Sequence, residues 1–154
     1  MFGKLFPCQT CNADAVTIRS GLNDKERKVR MSDVITDGRP GAAIMVVAAK
    51  EFIANGCTGF LTIHGGVGNA KSTVLKAIVN DCVERGMDVR YVTMTDVMAY
   101  AREAFNSEMK GDSDLGRIRD LANTQVLVID EMDKARLSDY AREIQTHLFD
   151  ARYR

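Results

Sequence analysis

Residues 65–72 read Gly-Gly-Val-Gly-Asn-Ala-Lys-Ser, and this stretch decides the fold that we predict. It matches the phosphate-binding pattern G-x-x-x-x-G-K-[ST], with Ala70 in place of the second glycine. The apolar run 60–64 before it predicts a strand, and the residues after it predict a helix. Backbone N–H groups of such a loop, together with the start of the following helix, favour a bound anion. We therefore predict a nucleotide site made of Gly65, Gly66, Val67, Gly68, Asn69, Ala70, Lys71, Ser72 and Thr73.

Separate roles follow for the residues at the end of this loop. We expect Lys71 to reach the terminal phosphates and the Ser72 hydroxyl to hold Mg²⁺. Thr73 is expected to support the helix start or to contact the α-phosphate, and Asn69 to be a turn residue. The methyl group of Ala70 is either tolerated at the helix start or crowds the phosphates, depending on whether the position needs glycine geometry.

A second motif supports the first. Residues 126–131 read Val-Leu-Val-Ile-Asp-Glu, which is typical of a buried parallel strand whose carboxyl end carries chemistry. Asp130 is expected to hold Mg²⁺ through water, and Glu131 to act as the general base for an attacking water. Alone, the run is equally consistent with a core strand that has a polar end. Together with the upstream loop it predicts nucleotide chemistry, with Lys71 and Glu131 as catalytic residues.

Composition narrows the class of protein. The 154 residues suit one globular domain, with 45% hydrophobic and 27% charged residues. Lys plus Arg and Asp plus Glu both number 21, so net charge gives no sign of a nucleic-acid partner. No apolar stretch approaches the roughly 20 residues needed to span a bilayer. The first residues are too short for a signal peptide, so we expect a cytoplasmic protein without a membrane partner.

The chain divides in sequence character near residue 40. Residues 1–40 are polar and predict an arm with one short helix near 23–30. Residues 41–154 carry regular apolar patterns and predict an α/β domain with a parallel sheet and right-handed crossovers. The predicted helices and strands are a helix ending at Asn55-Gly56, a strand at 60–64, a helix ending at Gly86, a strand at 89–93, a helix capped by Thr95, a loop at 107–116, a helix at 115–122, a strand at 126–130 and a helix at 137–150.

The four cysteines fall into two groups. Cys57 and Cys82 stand in apolar surroundings and are expected to be small core residues. Cys8 and Cys11 form a C-x-x-C, which supplies half of the four ligands that a zinc site needs. A complete zinc site within one chain is therefore not expected, and the surrounding pattern does not match a thioredoxin-like redox unit.

The two nucleotide motifs and their flanks resemble AAA+ ATPases, and more narrowly the bacterial helicase loaders and transposition helper ATPases of the DnaC and IstB type. The matching stretches are 48–52, 59–72, 91–97 and 126–131, and the likeness covers roughly residues 30–154. The resemblance implies a P-loop NTPase three-layer sandwich with a parallel sheet, here a partial AAA+ core. It also implies ATP or ADP with Mg²⁺, ATP hydrolysis, a replicative helicase and single-stranded DNA as partners, and a homo-oligomer.

The chain departs from the family pattern downstream of Glu131. A polar sensor residue, an arginine finger and a helical lid cannot be assigned before Arg154. We therefore expect a fragment of a longer ATPase with a gap in its sheet and little turnover of its own. The segment around Cys8 and Cys11 resembles the second half of a zinc module found in some relatives, so zinc is expected only if the first half is supplied.

Two other functions stay open on the residues alone. One is a nucleotide-binding switch or transposition accessory without turnover, and a weaker one is a small-molecule kinase. Several charged residues have a plainer interpretation, as solvated helix faces rather than DNA or subunit contacts. These residues are Arg142, Arg152 and Arg154. Asp133 and Lys134 are expected as solvent-facing charges at a helix start rather than as catalytic groups, and Met45 and Met98 are expected in the core.

Overall fold

The computed structural model describes residues 19–106, 113–134 and 138–153. Within these ranges the chain forms two compact units, divided between Val89 and Arg90. No described helix is long and apolar enough to cross a bilayer. Cys8, Cys11 and Arg154 lie outside the described residues, as does most of the predicted loop at 107–116.

The first unit is helical. Helix α1 spans Pro40–Ala54 and helix α2 spans Lys71–Glu84, and the two pack against each other. Proline suits the first position of α1. It has no backbone N–H, and an N–H at this position of a helix would have no partner within the helix. Both helices end as predicted, since Gly56 and Gly86 follow them with φ of 72° and 73°. Ala49, Ile53, Ile78, Val79 and Cys82 of the two predicted apolar stripes are buried.

The described part of the polar arm, from residue 19 to α1, differs from its prediction. In place of one helix near 23–30 it forms two 3₁₀ turns, Glu26–Lys28 and Met31–Asp33, which pack on α2. Buried Asn80 of α2 donates from its amide nitrogen to the carbonyl oxygens of Glu26 and Val29, at 2.8 Å each. Side chain–backbone bonds of this kind leave no pattern in the sequence.

The predicted strand at 60–64 is wrong. Residues 60–66 carry no regular secondary structure, and Phe60 is 61% exposed. A strand requires a neighbour that satisfies its backbone groups. The sheet formed by the described residues has two strands, and they pair with each other. The apolar run at 60–64 therefore forms no strand in the described structure.

The second unit contains a small parallel sheet with helices packed on it. Strands β1, Val89–Thr93, and β2, Val126–Asp130, are adjacent and agree with the predicted bounds. Helices α3, Met94–Asn106, α4, Ser113–Asn123, and α5, Asp139–Tyr153, pack pairwise. Their shared core consists of Val92, Met94, Val97, Met98, Leu121, Ala141 and Leu148.

Two local predictions in this unit need correction. Helix α3 is capped by Thr93, not by Thr95. The Thr93 hydroxyl accepts from the Asp96 N–H at 3.2 Å, and the Asp96 carboxylate accepts from the Thr93 N–H at 2.9 Å. This reciprocal arrangement is a capping box, so the helix begins immediately after the strand. Residues 113–116 belong to α4 and not to a loop.

Candidate functional site

Two glycines of the loop at 65–72 adopt backbone conformations with positive φ. Gly65 and Gly68 have φ of 148° and 82°, a range that side chains other than hydrogen rarely tolerate. Nothing lies within 4 Å of the position that a Cβ on Gly68 would take. Residues 65–69 are all exposed, and they lead directly into α2 at Lys71. An open loop at a helix N-terminus can receive an anion, because the first N–H groups of a helix have no partner within it.

Ala70 adopts the left-handed conformation, with φ of 57° and ψ of 18°, and occupies the cap position of α2. This is glycine geometry held by a residue with a methyl group, which costs roughly 1–2 kcal/mol for an L-residue. Alanine therefore replaces the second glycine of the motif but keeps a backbone conformation that favours glycine.

Lys71 folds back over the loop. Its ammonium donates to the carbonyl oxygens of Gly65 and Gly66, at 2.8 Å each. The positive charge of Lys71 thus lies beside the loop backbone. Asn69 is exposed within the bend, and a Cβ built on Gly65 would lie 3.5 Å from its amide nitrogen. Ser72 and Thr73 occupy the first turn of α2 and are half-buried.

In the second unit, Asp130 is a buried carboxylate with both oxygens engaged. It is 7% exposed at the end of β2. Its Oδ2 accepts from the hydroxyl of Tyr91 at 2.7 Å, and its Oδ1 accepts from the N–H of Glu131 at 2.7 Å. The carboxylate is therefore held by a donor from β1 and by a donor from the residue that follows β2.

Glu131 follows β2 in the left-handed region, with φ of 55°. Its carboxylate pairs with the ammonium of Lys134, and this contact raises the pKa of Lys134. Asp133 and Lys134 are exposed as expected, but they lie in a turn at 132–134 and not at the start of a helix. The candidate base is therefore engaged by a neighbouring cation in this conformation.

Arg152 is not part of a solvated helix face. Its guanidinium donates to the carbonyl oxygens of Leu121, Ala122 and Thr124 at 3.0, 3.1 and 2.6 Å, and to that of Gln125 at 3.2 Å. Burial lowers the pKa of this guanidinium. The side chain satisfies carbonyl groups that the end of α4 leaves without helical partners. Arg142, on the same helix α5, is exposed as expected.

The described cysteines are core residues, as predicted. Cys57 and Cys82 are buried and free, with their sulfur atoms 3.6 Å apart, and burial raises the pKa of the Cys82 thiol. Among the described residues no three His, Cys, Asp or Glu side chains come together as a metal site. The zinc hypothesis concerns Cys8 and Cys11, which lie outside the described ranges.

Comparison with known proteins identifies one kind of relative. No family profile matches the chain. The replicative helicase loader DnaC of Escherichia coli K12 is 32% identical over 88 residues, which cover 57% of this chain and 35% of that loader. DnaC of Escherichia coli O157:H7 and DnaC of Shigella flexneri match to the same extent. The matched stretch is related to the DnaC helicase loaders. The chain covers about a third of the length of these relatives.

The contacts of three residues were not predicted from the sequence. Tyr91 was expected only as part of a strand, yet its hydroxyl contacts Asp130. Asn80 and Arg152 reach partners as far as 54 and 31 positions away in the chain, at Glu26 and Leu121. The contact of Tyr91 could have been suspected from the sequence, because a tyrosine on the predicted strand 89–93 can reach a residue on an adjacent strand.

Proposed function

We propose that this chain is a Mg²⁺-nucleotide-binding protein of the helicase-loader type. One observation carries the proposal: the Lys71 ammonium lies 2.8 Å from two carbonyl groups of a glycine loop that opens onto the N-terminus of α2. That arrangement combines a cation, open loop backbone and unpaired helix N–H groups, which together favour the phosphates of a nucleotide. The resemblance of the two motifs to those of AAA+ ATPases supports ATP or ADP as the nucleotide.

The roles of individual residues follow from their chemistry. In the proposal, loop residues 65–70 and Thr73 surround the phosphates and Lys71 neutralises their charge. Ser72 and Asp130 hold Mg²⁺, which supplies charge neutralisation on the phosphate oxygens. Glu131 orients and deprotonates a water when its carboxylate is released from Lys134.

The larger architecture and the partners are part of the same proposal. The sheet β1–β2 and the loop with its helix are compatible with a three-layer AAA+ core of which this chain forms a part. Relatives bearing the name replicative helicase loader support a replicative helicase as the partner. Single-stranded DNA and further copies of the chain are the remaining partners that we propose.

A second function is favoured by the ion pair between Glu131 and Lys134. A carboxylate that is engaged by a lysine is not available to bind an attacking water, which suits a nucleotide-binding switch or transposition accessory protein without turnover of its own. ATP turnover measured with and without single-stranded DNA separates the two functions. DNA-stimulated turnover supports the loader, and binding without turnover supports the switch.

Thermal unfolding with and without nucleotide tests the proposed binding. At a hundredfold excess over the dissociation constant, Mg²⁺-ADP should stabilise the fold by about 2.7 kcal/mol. For a chain of this size that corresponds to about 5–10 °C in Tm. Lys71→Ala should abolish the shift, whereas Lys50→Ala, an exposed lysine on α1, should keep it. An equal shift in both variants would contradict the role of the loop.

A further inference from the structure

Tyr91 and Asp130 form a buried hydroxyl–carboxylate contact between adjacent strands. Tyr91 lies in the middle of β1 and Asp130 at the end of β2, and the donor and acceptor oxygens are 2.7 Å apart. The carboxylate is 7% exposed, whereas Tyr91 is half-buried. The hydroxyl is therefore positioned to act on a carboxylate that water barely reaches.

The contact restricts the rotation of the carboxylate group. The Glu131 N–H, next in the chain, donates to Oδ1 of Asp130, and the Tyr91 hydroxyl of β1 donates to Oδ2. Because a donor contacts each oxygen, rotation about the bond between the carboxyl carbon and Cβ breaks at least one hydrogen bond. Breaking a hydrogen bond to a charged group is unfavourable, so the observed orientation is strongly preferred.

We propose that Tyr91 is a positioning residue for the metal ligand Asp130. Its hydroxyl fixes the carboxylate in one orientation, so that this group does not have to be ordered when the ion binds. This inference rests on the proposed function, because it assumes that Asp130 serves a nucleotide-bound Mg²⁺. Residues that orient a metal ligand through a hydrogen bond typically change metal affinity 10–100-fold when they are removed.

The metal contribution to nucleotide affinity is the quantity to measure. It is the ratio of ADP affinity in Mg²⁺ to ADP affinity in EDTA, obtained by titration with a fluorescent ADP derivative. Tyr91→Phe removes one oxygen atom and keeps the ring, so we expect the ratio to fall about tenfold while the affinity in EDTA stays unchanged. Tyr153→Phe makes the same change at an exposed site on α5 and should leave both values unchanged.

A double-mutant cycle with Asp130→Asn tests whether Tyr91 acts through this carboxylate. In the Asp130→Asn background, Tyr91→Phe should produce no further loss of the ratio. An unchanged ratio in the single variant, an equal loss in Mg²⁺ and EDTA, or an additive loss in the double variant would each overturn the inference. Failure of the unmodified chain to bind ADP would instead refute the proposed function.

Mn²⁺ provides an independent readout of the same site. Electron paramagnetic resonance of Mn²⁺ bound together with ADP reports the metal directly and requires no turnover. We expect weaker Mn²⁺ binding in Tyr91→Phe and normal binding in Tyr153→Phe. Equal Mn²⁺ binding in the two variants would overturn the positioning role.

Discussion

Ala70 differs from the glycine of the phosphate-loop motif by one methyl group but adopts a left-handed backbone conformation. Its φ of 57° is the conformation for which glycine is normally selected. The following helix begins with Lys71, so the methyl group lies at the junction between the phosphate loop and α2. The strain at this junction is a local cost that the fold carries.

Replacing Ala70 by glycine should stabilise the protein. The change removes the left-handed penalty of about 1–2 kcal/mol, and the greater freedom of glycine in the unfolded chain offsets about 0.4–1 kcal/mol of the gain. We expect a net increase of about 0.5–1 kcal/mol in the free energy of unfolding, measured by urea denaturation. Ala48→Gly, within α1, should lower it by about 1 kcal/mol, because the residue there is helical. Equal losses at both sites would contradict the left-handed assignment.

The two carboxylates at the end of β2 should respond differently to loss of charge. Glu131→Gln keeps the shape and removes the base, so nucleotide affinity should remain while any ATP hydrolysis is lost. Asp130→Asn should weaken Mg²⁺-dependent binding, because the ligand to the metal-bound water loses its charge. Binding titrations and a steady-state phosphate-release assay on both variants check these outcomes. Normal hydrolysis by Glu131→Gln would assign the base to another residue.

At the scale of elements, Arg152 joins the C-terminal part of α5 to the end of α4. Arg152→Ala leaves several carbonyl groups without their charged donor and should lower the free energy of unfolding by about 1.5–3 kcal/mol. Arg152→Lys should recover only part of the loss, since an ammonium cannot reproduce the planar fork. Arg142→Ala, on the exposed face of the same helix, should change stability little. Similar small effects at both positions in urea denaturation would show that the bonds contribute nothing.

The pairing of the N-terminal turns with α2 should make stability depend on pH. The hydrogen bond and charge of Lys76, with a further bond from the Asn23 N–H, lower the pKa of Glu26 below 4.5. A carboxyl group whose pKa is lowered by folding contributes stability that is present above its unfolded pKa. This contribution is lost as pH falls from about 4.5 through the folded value. Glu26→Gln should flatten that part of the stability profile, and Glu51→Gln, exposed on α1, should not.

The elements that sequence alone predicted are those whose signal is local. Both strands β1 and β2, the glycine stops after α1 and α2, and the buried thiols follow from residue pattern. The strand predicted at 60–64 is wrong for a different reason. An apolar run shows which side chains avoid water, but it does not show whether a neighbouring strand is present. Asn80, Arg152 and Tyr91 act through partners distant in sequence, which a pattern along one segment cannot reveal.

Part of the candidate site was predictable for the same reason. The loop 65–72 and the carboxylates Asp130 and Glu131 are read directly from their spacing, and their roles remain predictions until nucleotide binding is measured. The replacement of helix by 3₁₀ turns in the arm depends on anchoring by Asn80 and Lys76 of α2. Helix propensity in the short segment 23–30 is too weak to resist such tertiary contacts.

At the scale of the whole molecule, the two nucleotide motifs fall in different compact units. The glycine loop belongs to residues up to Val89, and the carboxylates belong to residues from Arg90 onward. The proposed function assigns phosphate contacts to the first motif and metal contacts to the second. Each motif should therefore respond to a different component of the ligand, ADP or Mg²⁺.

Amide hydrogen–deuterium exchange followed by mass spectrometry tests whether the glycine loop binds the nucleotide and the carboxylates respond to Mg²⁺. With saturating Mg²⁺-ADP, we expect slower exchange in peptides that contain residues 65–73 and in peptides that contain residues 130–131. With ADP and EDTA, we expect slower exchange in the loop peptides alone, and Lys71→Ala should remove both effects. Unchanged exchange at residues 65–73 under saturating Mg²⁺-ADP, or equal protection in Lys71→Ala, would contradict the assignment of this chain as a nucleotide-binding protein of the helicase-loader type.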